Sequence, residues 1–432
     1  MILNQYPLKS VNIADGVTFN SVIDNRFKTN KISINFITEL NKETVTENAI
    51  LPSILKKGTK KYSDFTEFNR KLQELYGAYV SGYVQKNGDL QIISLSITGI
   101  DDKFTLDGDV VTKNISEILC DMALDPVMEN GFFRKSDIEL EKGTLIDTIE
   151  AEINEKRIYA INNLIRTMCS NEAFGIPKYG FVKDAKSLTT QRITNSYNNL
   201  ISNARIEIMF VGCGNDEPAK EVFADKFKSV KRNNILLKES EIHHKNNELI
   251  EKIDEMSVAQ SKMVLGFTNE LASGDKMVIP TKLMIAILGG TASSKLFLNV
   301  REKLSLCYYC AARYDRFKGI MIVDCGVETE NIEKAKNEIM VQLNLTKSGE
   351  ITDDEIVAAK LALKNALETI SDSESSVEAW YLGQILSKTS NSPEDDIAKI
   401  DNVTKEEIVE SANKMQLDCV YTLTNRTEVK EG

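Results

Sequence analysis

The chain has 432 residues and two histidines, and the two are neighbours, His243 and His244. Imidazole is the commonest ligand of a catalytic zinc, which takes three protein donors and leaves one position for water. It is also the commonest general acid or base. With both imidazoles at one point, no two histidines four residues apart can share a helical face anywhere in the chain. The pair falls in a polar stretch and is expected to be solvated. A serine or cysteine nucleophile normally needs a nearby base, most often histidine, so that chemistry is poorly served; a Ser–Lys arrangement stays open. Cys307 and Cys310 have redox-motif spacing. They fall in a segment that reads as strand, where positions i and i+3 face opposite sides, so the spacing reads as coincidence. The run Gly289-Gly-Thr-Ala-Ser-Ser294 lacks the Gly-x-x-x-x-Gly-Lys-Ser/Thr pattern of a phosphate loop and reads as a turn.

Composition narrows the classes further. Net charge is −11 and the pI is near 5.1, which argues against a nucleic-acid footprint. The seven cysteines, at 120, 169, 213, 307, 310, 325 and 419, are odd in number and irregularly spaced. That suggests reduced thiols and a cytoplasmic protein rather than a disulfide framework. The opening Met1-Ile-Leu-Asn-Gln-Tyr-Pro-Leu-Lys-Ser10 has no basic region followed by an apolar one, so no signal peptide is expected. No apolar run is long enough to span a membrane.

The elements that would position these residues recur in two halves. Ile32, Ile34 and Phe36 alternate with Ser33 and Asn35, and Lys262 to Phe267 fills the same place later. A helical segment follows each, Glu47 to Lys57 and Lys282 onward. Paired strands come next, Ala78 to Gln85 with Leu90 to Ile97, and Leu306 to Tyr314 with Gly319 to Val327. Long helices around 135–168 and 352–370 follow, the second opening on a capping box at Thr352 and Glu355. Each half closes alike: Leu188 to Ile193 leads to a helix and the strand Ile206 to Val211. Val403 to Ile408, with a capping box at Thr404 and Glu407, leads to a helix and the strand Cys419 to Leu423. Phe65, Phe68, Leu72 and Leu75 form a helical stripe after Ser63 as cap, and Trp380 and Tyr381 read as core. The expected organisation is mixed α/β: two tandem homologous domains, each a mostly antiparallel sheet packed with helices. Residues 1–227 form the first, 228–252 a linker and 253–432 the second.

The segment Leu288-Gly-Gly-Thr-Ala-Ser-Ser-Lys-Leu-Phe-Leu-Asn-Val-Arg-Glu-Lys-Leu-Ser-Leu-Cys-Tyr308 resembles the second-domain signature of the insulinase/pitrilysin-type zinc peptidases. The two-domain repeat, the length and Leu75-Tyr-Gly-Ala78 fit the same family, and the resemblance covers essentially the whole chain. Active members carry H-x-x-E-H on a first-domain helix, with the Glu as general base. The corresponding stretch here is Asn48-Ala-Ile-Leu-Pro-Ser-Ile-Leu-Lys-Lys-Gly-Thr59. The resemblance puts Ala49 and Ser53 at the histidine positions and Pro52 at the base, where it could kink the helix. The family's third ligand is a Glu seven residues after another Glu; Glu141 matches the earlier one and Thr148 the ligand. A slipped register would offer Glu150 or Glu152, one carboxylate only. No metal is therefore expected in this chain, which lacks catalytic residues of its own.

The resemblance leaves the second-domain pair in place. Arg301 and Tyr308 match the residues that contact the substrate backbone and the developing oxyanion, a role suited to a guanidinium and a phenol. The competing role is packing, with Arg301 in a structural ion pair and Tyr308 in a strand. Bacterial members occur as pairs, one chain with the zinc motif and one without. The run Leu55-Lys-Lys-Gly-Thr-Lys-Lys-Tyr62 resembles inactive homologues associated with elongation factor P 5-aminopentanol modification or with peptide-antibiotic processing. What this implies is a non-catalytic subunit of a heterodimeric peptidase, its partner supplying zinc and base, its substrate a peptide or small protein. The alternative is a non-hydrolytic peptide-binding or scaffold protein.

Overall fold

The structure, a computed structural model, describes residues 7–233 and 237–425. Met1 to Tyr6, on which part of the signal-peptide expectation rests, and residues 234–236 of the expected linker lie outside the described residues. The chain forms two compact units. Of the described residues, unit 1 takes those up to Glu150, then those within Ile176–Glu239 and Ile370–Leu386; unit 2 takes Ala151–Gly175, Ser240–Thr369 and those from Ser387 on.

Unit 1 is built on a sheet of β1 (Lys9–Ala14), β2 (Val17–Ile23), β3 (Thr29–Glu39), β4 (Tyr79–Asn87) and β5 (Leu90–Ile100), completed by β8 (Arg205–Gly212). A two-stranded hairpin, β6 (Met128–Glu129) and β7 (Phe132–Phe133), lies apart from it. Unit 2 has β9 (Ile250–Glu255), β10 (Ser261–Thr268), β11 (Cys307–Asp315), β12 (Ile320–Val327) and β13 (Gln416–Thr424). The orders are β1-β2-β8-β3-β5-β4 and β11-β12-β10-β13-β9. Without β1, the two orders match strand for strand: β2 and β8 run parallel, as do β9 and β13. All other neighbours run antiparallel. The duplication expected from sequence is present in both order and direction.

The alternation in β3 has a consequence that a half-exposed strand would not have. Ile32, Ile34 and Phe36 join the apolar core with the helices Val45–Leu55 and Val111–Leu124. The opposite, polar face is also buried, beneath the helix Glu374–Leu386. Ser33 Oγ donates to Glu378 at 2.5 Å, and Lys31 Nζ pairs with the same carboxylate at 2.7 Å. A buried polar face is stable only when its groups are paired in this way. Unit 2 repeats the device with the helix Lys156–Met168: Arg157 Nε lies 2.5 Å from Asp324 Oδ2 on β12. At Gly266 on β10 a β-carbon would come within 2.5 Å of the Met168 sulfur, so the missing side chain lets this helix approach.

Both covering helices follow the same pattern. Lys135–Ala151, a single 3₁₀ turn at Glu152–Asn154, then Lys156–Met168 parallels Asp353–Glu368, Thr369–Asp372, then Glu374–Leu386. The expected single helix over 135–168 is thus two. The chain leaves helical geometry at Glu155 (φ −90°, ψ 77°), after Ile153 and Asn154, both modest helix formers. Caps at Thr352 and Thr404 form as expected, and Ser392 with Asp395 adds a third capping box. The helix Phe65–Glu74 is capped by Asp64 rather than Ser63, its carboxylate accepting from the Thr66 and Glu67 amides. Among the described residues no helix is long and apolar enough to cross a membrane.

Candidate functional site

The helix Val45–Leu55 is buried on nearly every side; its buried polar groups are paired, Glu47 with Arg192 and Asn48 with Gln91 and Ser196. Pro52 lies inside it; the helix stays continuous, with the Lys56 amide reaching the Pro52 carbonyl at 3.3 Å. Edge strand β4 closes on this point through Gly82, where a β-carbon would meet the Pro52 ring and carbonyl at 3.1 Å. Ser53 lines a cavity of about 370 Å³ with Lys57, Leu72, Tyr79 and Glu141. Lys57 Nζ pairs with Glu141 at 2.6 Å. Ala49 is buried and offers no donor. Thr148, exposed on its own helix, spends its hydroxyl on the Thr144 carbonyl at 2.8 Å and is not among the residues lining this cavity. The structure thus brings Ser53 and Glu141 together and leaves Thr148 apart.

In unit 2, Arg301 lies in a π-helical run, Leu296–Lys303, a geometry that concentrates at functional sites. Its guanidinium stacks on Phe297 at 4.6 Å and pairs with the adjacent Glu302 at 3.5 Å. Tyr308 is 78 % exposed on edge strand β11. Neither side chain is a core packing element. The ladder between β11 and β12 shifts register between Cys307 and Tyr309. Such a bulge inserts one extra residue and re-aims its neighbours. Tyr308 points out, and Cys307 and Cys310 both turn into the core, the latter opposite Cys325. This corrects the opposite-face expectation, which assumed an unbroken strand. The Cys310 thiol, with Arg301 nearby, lowers the Cys307 pKa against the effect of burial.

A third group was not anticipated. His243, expected in solvent, is 1 % exposed inside unit 2. Its Nε2 lies 2.7 Å from Asp418 Oδ2, and its Nδ1 contacts Glu172 Oε1. Burial pushes the imidazole down, but hydrogen bonds to Asp418, Cys169 and Glu172 outweigh it and raise the pKa to about 11. Burial would lift Asp418 and Glu172, yet their bonds to His243 hold both below the usual carboxylate range. Lys318, fully buried, takes the other Glu172 oxygen at 2.8 Å. His244 is exposed, as expected. The only cue in the sequence was the scarcity of histidine; the partners lie 71 and 175 positions away.

Comparison with known proteins places the chain in a family. A Bacillus subtilis protein named "Probable inactive metalloprotease YmfF" is 30% identical over 409 residues, spanning 94% of this chain and 96% of that one. The chain belongs to the M16, or insulinase-type, peptidase family. Residues 187–363 match the profile described as "Peptidase M16 inactive domain". A conserved protein of known structure from Enterococcus faecalis has a TM-score of 0.91 at 26% identity, covering 98% of this chain and 99% of that one. A protease from Helicobacter pylori shares the fold, with a TM-score of 0.79 at 16% identity over 97% of this chain and all of that one. Zinc, the metal of active M16 peptidases, does not fit the motif positions. Ala49 and Pro52 carry no donor, Thr148 is turned to its own helix, and the Lys57 ammonium already supplies the positive charge beside Glu141. This M16 chain is an inactive-type member.

Proposed function

We propose that this chain is the non-catalytic subunit of a two-chain M16 peptidase that binds and processes peptides in the cytoplasm. The partner, a homologue with an intact zinc motif, supplies the metal and the general base. This chain supplies Arg301 and Tyr308, which hold the substrate backbone and the developing oxyanion. The observation that carries the reading is the contrast between the two sites. The positions the resemblance assigns to zinc, Ala49, Ser53 and Thr148, hold neither histidine nor carboxylate, while Arg301 and Tyr308 sit at the surface rather than in a core. An edge strand bordering the Ser53 cavity, β4, offers unpaired backbone groups on one side, which suits an extended peptide added as a further strand. All described cysteines are unbridged, in keeping with a reducing compartment.

The test is co-expression with a zinc-motif homologue from the same genome, followed by turnover of a peptide library by each chain alone and by the mixture. The reading expects activity only in the mixture. It also expects the double variant Arg301→Lys/Tyr308→Phe to assemble and lose about 100-fold or more in turnover, the scale of removing an oxyanion donor. Undiminished turnover with the double variant would instead make the pair a relic and the chain a scaffold.

A further inference from the structure

The proposed function has no use for the cluster around His243, although that residue is fixed from several sides. Its amide donates to the Lys318 carbonyl at 2.8 Å, and its carbonyl accepts from Thr268 Oγ1 at 2.8 Å. Its Nε2 is held by Asp418 Oδ2 at 2.7 Å, and Asp418 Oδ1 in turn accepts from the Asn246 amide at 2.8 Å. The ring is thereby oriented with Nδ1 toward Glu172 Oε1, in contact, and Cys169 Sγ, 3.7 Å away. We propose that Cys169 Sγ, Glu172 Oε1 and His243 Nδ1 form a site for one thiophilic divalent cation, zinc foremost, in unit 2 and separate from the degenerate motif of unit 1.

Donor identity and spacing support this. The three donor atoms lie within 4.8 Å of one another. Tetrahedral zinc, with Zn–S near 2.3 Å and Zn–N near 2.1 Å, sets sulfur and nitrogen about 3.6 Å apart, against 3.7 Å here. Thiolate, imidazole and carboxylate together suit zinc better than magnesium or calcium. Glu172 must draw back from Nδ1 to admit an ion. It can, because it is the partly exposed member, at 27 %, in a short turn ahead of Gly175.

The surroundings match what metal ligands require. Ligating imidazoles commonly give their second ring N–H to a carboxylate, which fixes tautomer and orientation; Asp418 is placed to receive it. Lys318 Nζ takes Glu172 Oε2 and leaves Oε1 to the ion. The donors come from the end of the helix Lys156–Met168, the turn after it and the segment before β9, so the ion would clasp the segment Ala151–Gly175 to the rest of its unit.

The experiment uses the full chain alone, so its outcome is independent of the peptidase reading. Chelator-stripped protein is titrated with Co²⁺ and Zn²⁺. The expected result is one equivalent bound per chain, with cobalt–thiolate charge-transfer absorption. Saturating zinc should raise Tm by about 5–10 °C. Cys169→Ser abolishes the absorption and the Tm shift, whereas Cys213→Ser, in unit 1, keeps both. Folded wild-type protein that shows neither signal overturns the proposal, as does binding that survives Cys169→Ser but is lost in Ser53→Ala.

Discussion

Asp418→Asn should be among the most damaging isosteric substitutions in the chain. Asp418 is 0 % exposed, and its carboxylate is bonded to His243 Nε2 (2.7 Å), the Asn246 amide (2.8 Å) and Asn246 Nδ2 (2.7 Å). The asparagine keeps the shape but removes the charge that faces a buried imidazolium, and turns an NH₂ toward groups that already donate. Removing one partner from a buried ion pair typically costs about 3–5 kcal/mol, mostly because the other charge is left uncompensated. At roughly 2–4 °C per kcal/mol for a unit of this size, Tm should fall by about 6–20 °C. The assay is thermal and urea unfolding of metal-free protein at pH 7, with His244→Gln as the exposed control, expected within about 0.5 kcal/mol of wild type. A loss below about 1 kcal/mol for Asp418→Asn would refute the reasoning, since His243 would then not be a buried, doubly paired cation.

The same network fixes a pH profile for the metal-free protein. His243 is raised from 6.5 to about 11, so its contribution is complete below about pH 6.5 and fades as pH climbs toward 11. Glu172 and Asp418 are lowered, so theirs holds above the ordinary carboxylate range and is lost in acid. Stability should therefore decline from pH 7 to 10 in wild type but not in His243→Gln, as followed by urea midpoints. Gly82→Val should cost about 1–3 kcal/mol through overpacking against the Pro52 ring and carbonyl, read as a lower urea midpoint with an unchanged m-value. Tyr308→Phe, on a side chain 78 % exposed, should leave the stability of the isolated chain within about 0.5 kcal/mol, which separates a substrate role from a packing role.

Much of the fold was legible because its signals are local. Period-two alternation marked β3 and β5, and the boxes at Thr352 and Thr404 marked helix starts at the right residues. What the sequence hid depends on partners distant in the chain. What covers the polar face of β3 was not legible, because Glu378, which satisfies Ser33 and Lys31, lies some 345 positions on. The break after Ala151 carries neither proline nor glycine, only the modest helix formers Ile153 and Asn154, and the next helix packs on β10 and β13. His243 was misplaced because a polar neighbourhood says nothing of carboxylates brought in from elsewhere. The Cys307 and Cys310 expectation failed on a single inserted residue, since a bulge is invisible to periodicity. The absence of an H-x-x-E-H motif, by contrast, is a matter of residue identity alone, because the chain's two histidines are adjacent.

In the proposed function, this chain completes another chain's active site. The most direct measurement is the turnover of a zinc-motif homologue titrated with this chain, wild type or Arg301→Lys/Tyr308→Phe. Hydrolysis should rise to saturation at one equivalent of wild type, with no such rise for the double variant despite equal binding in sedimentation. A homologue already fully active alone, or rescued equally by both forms, would contradict it.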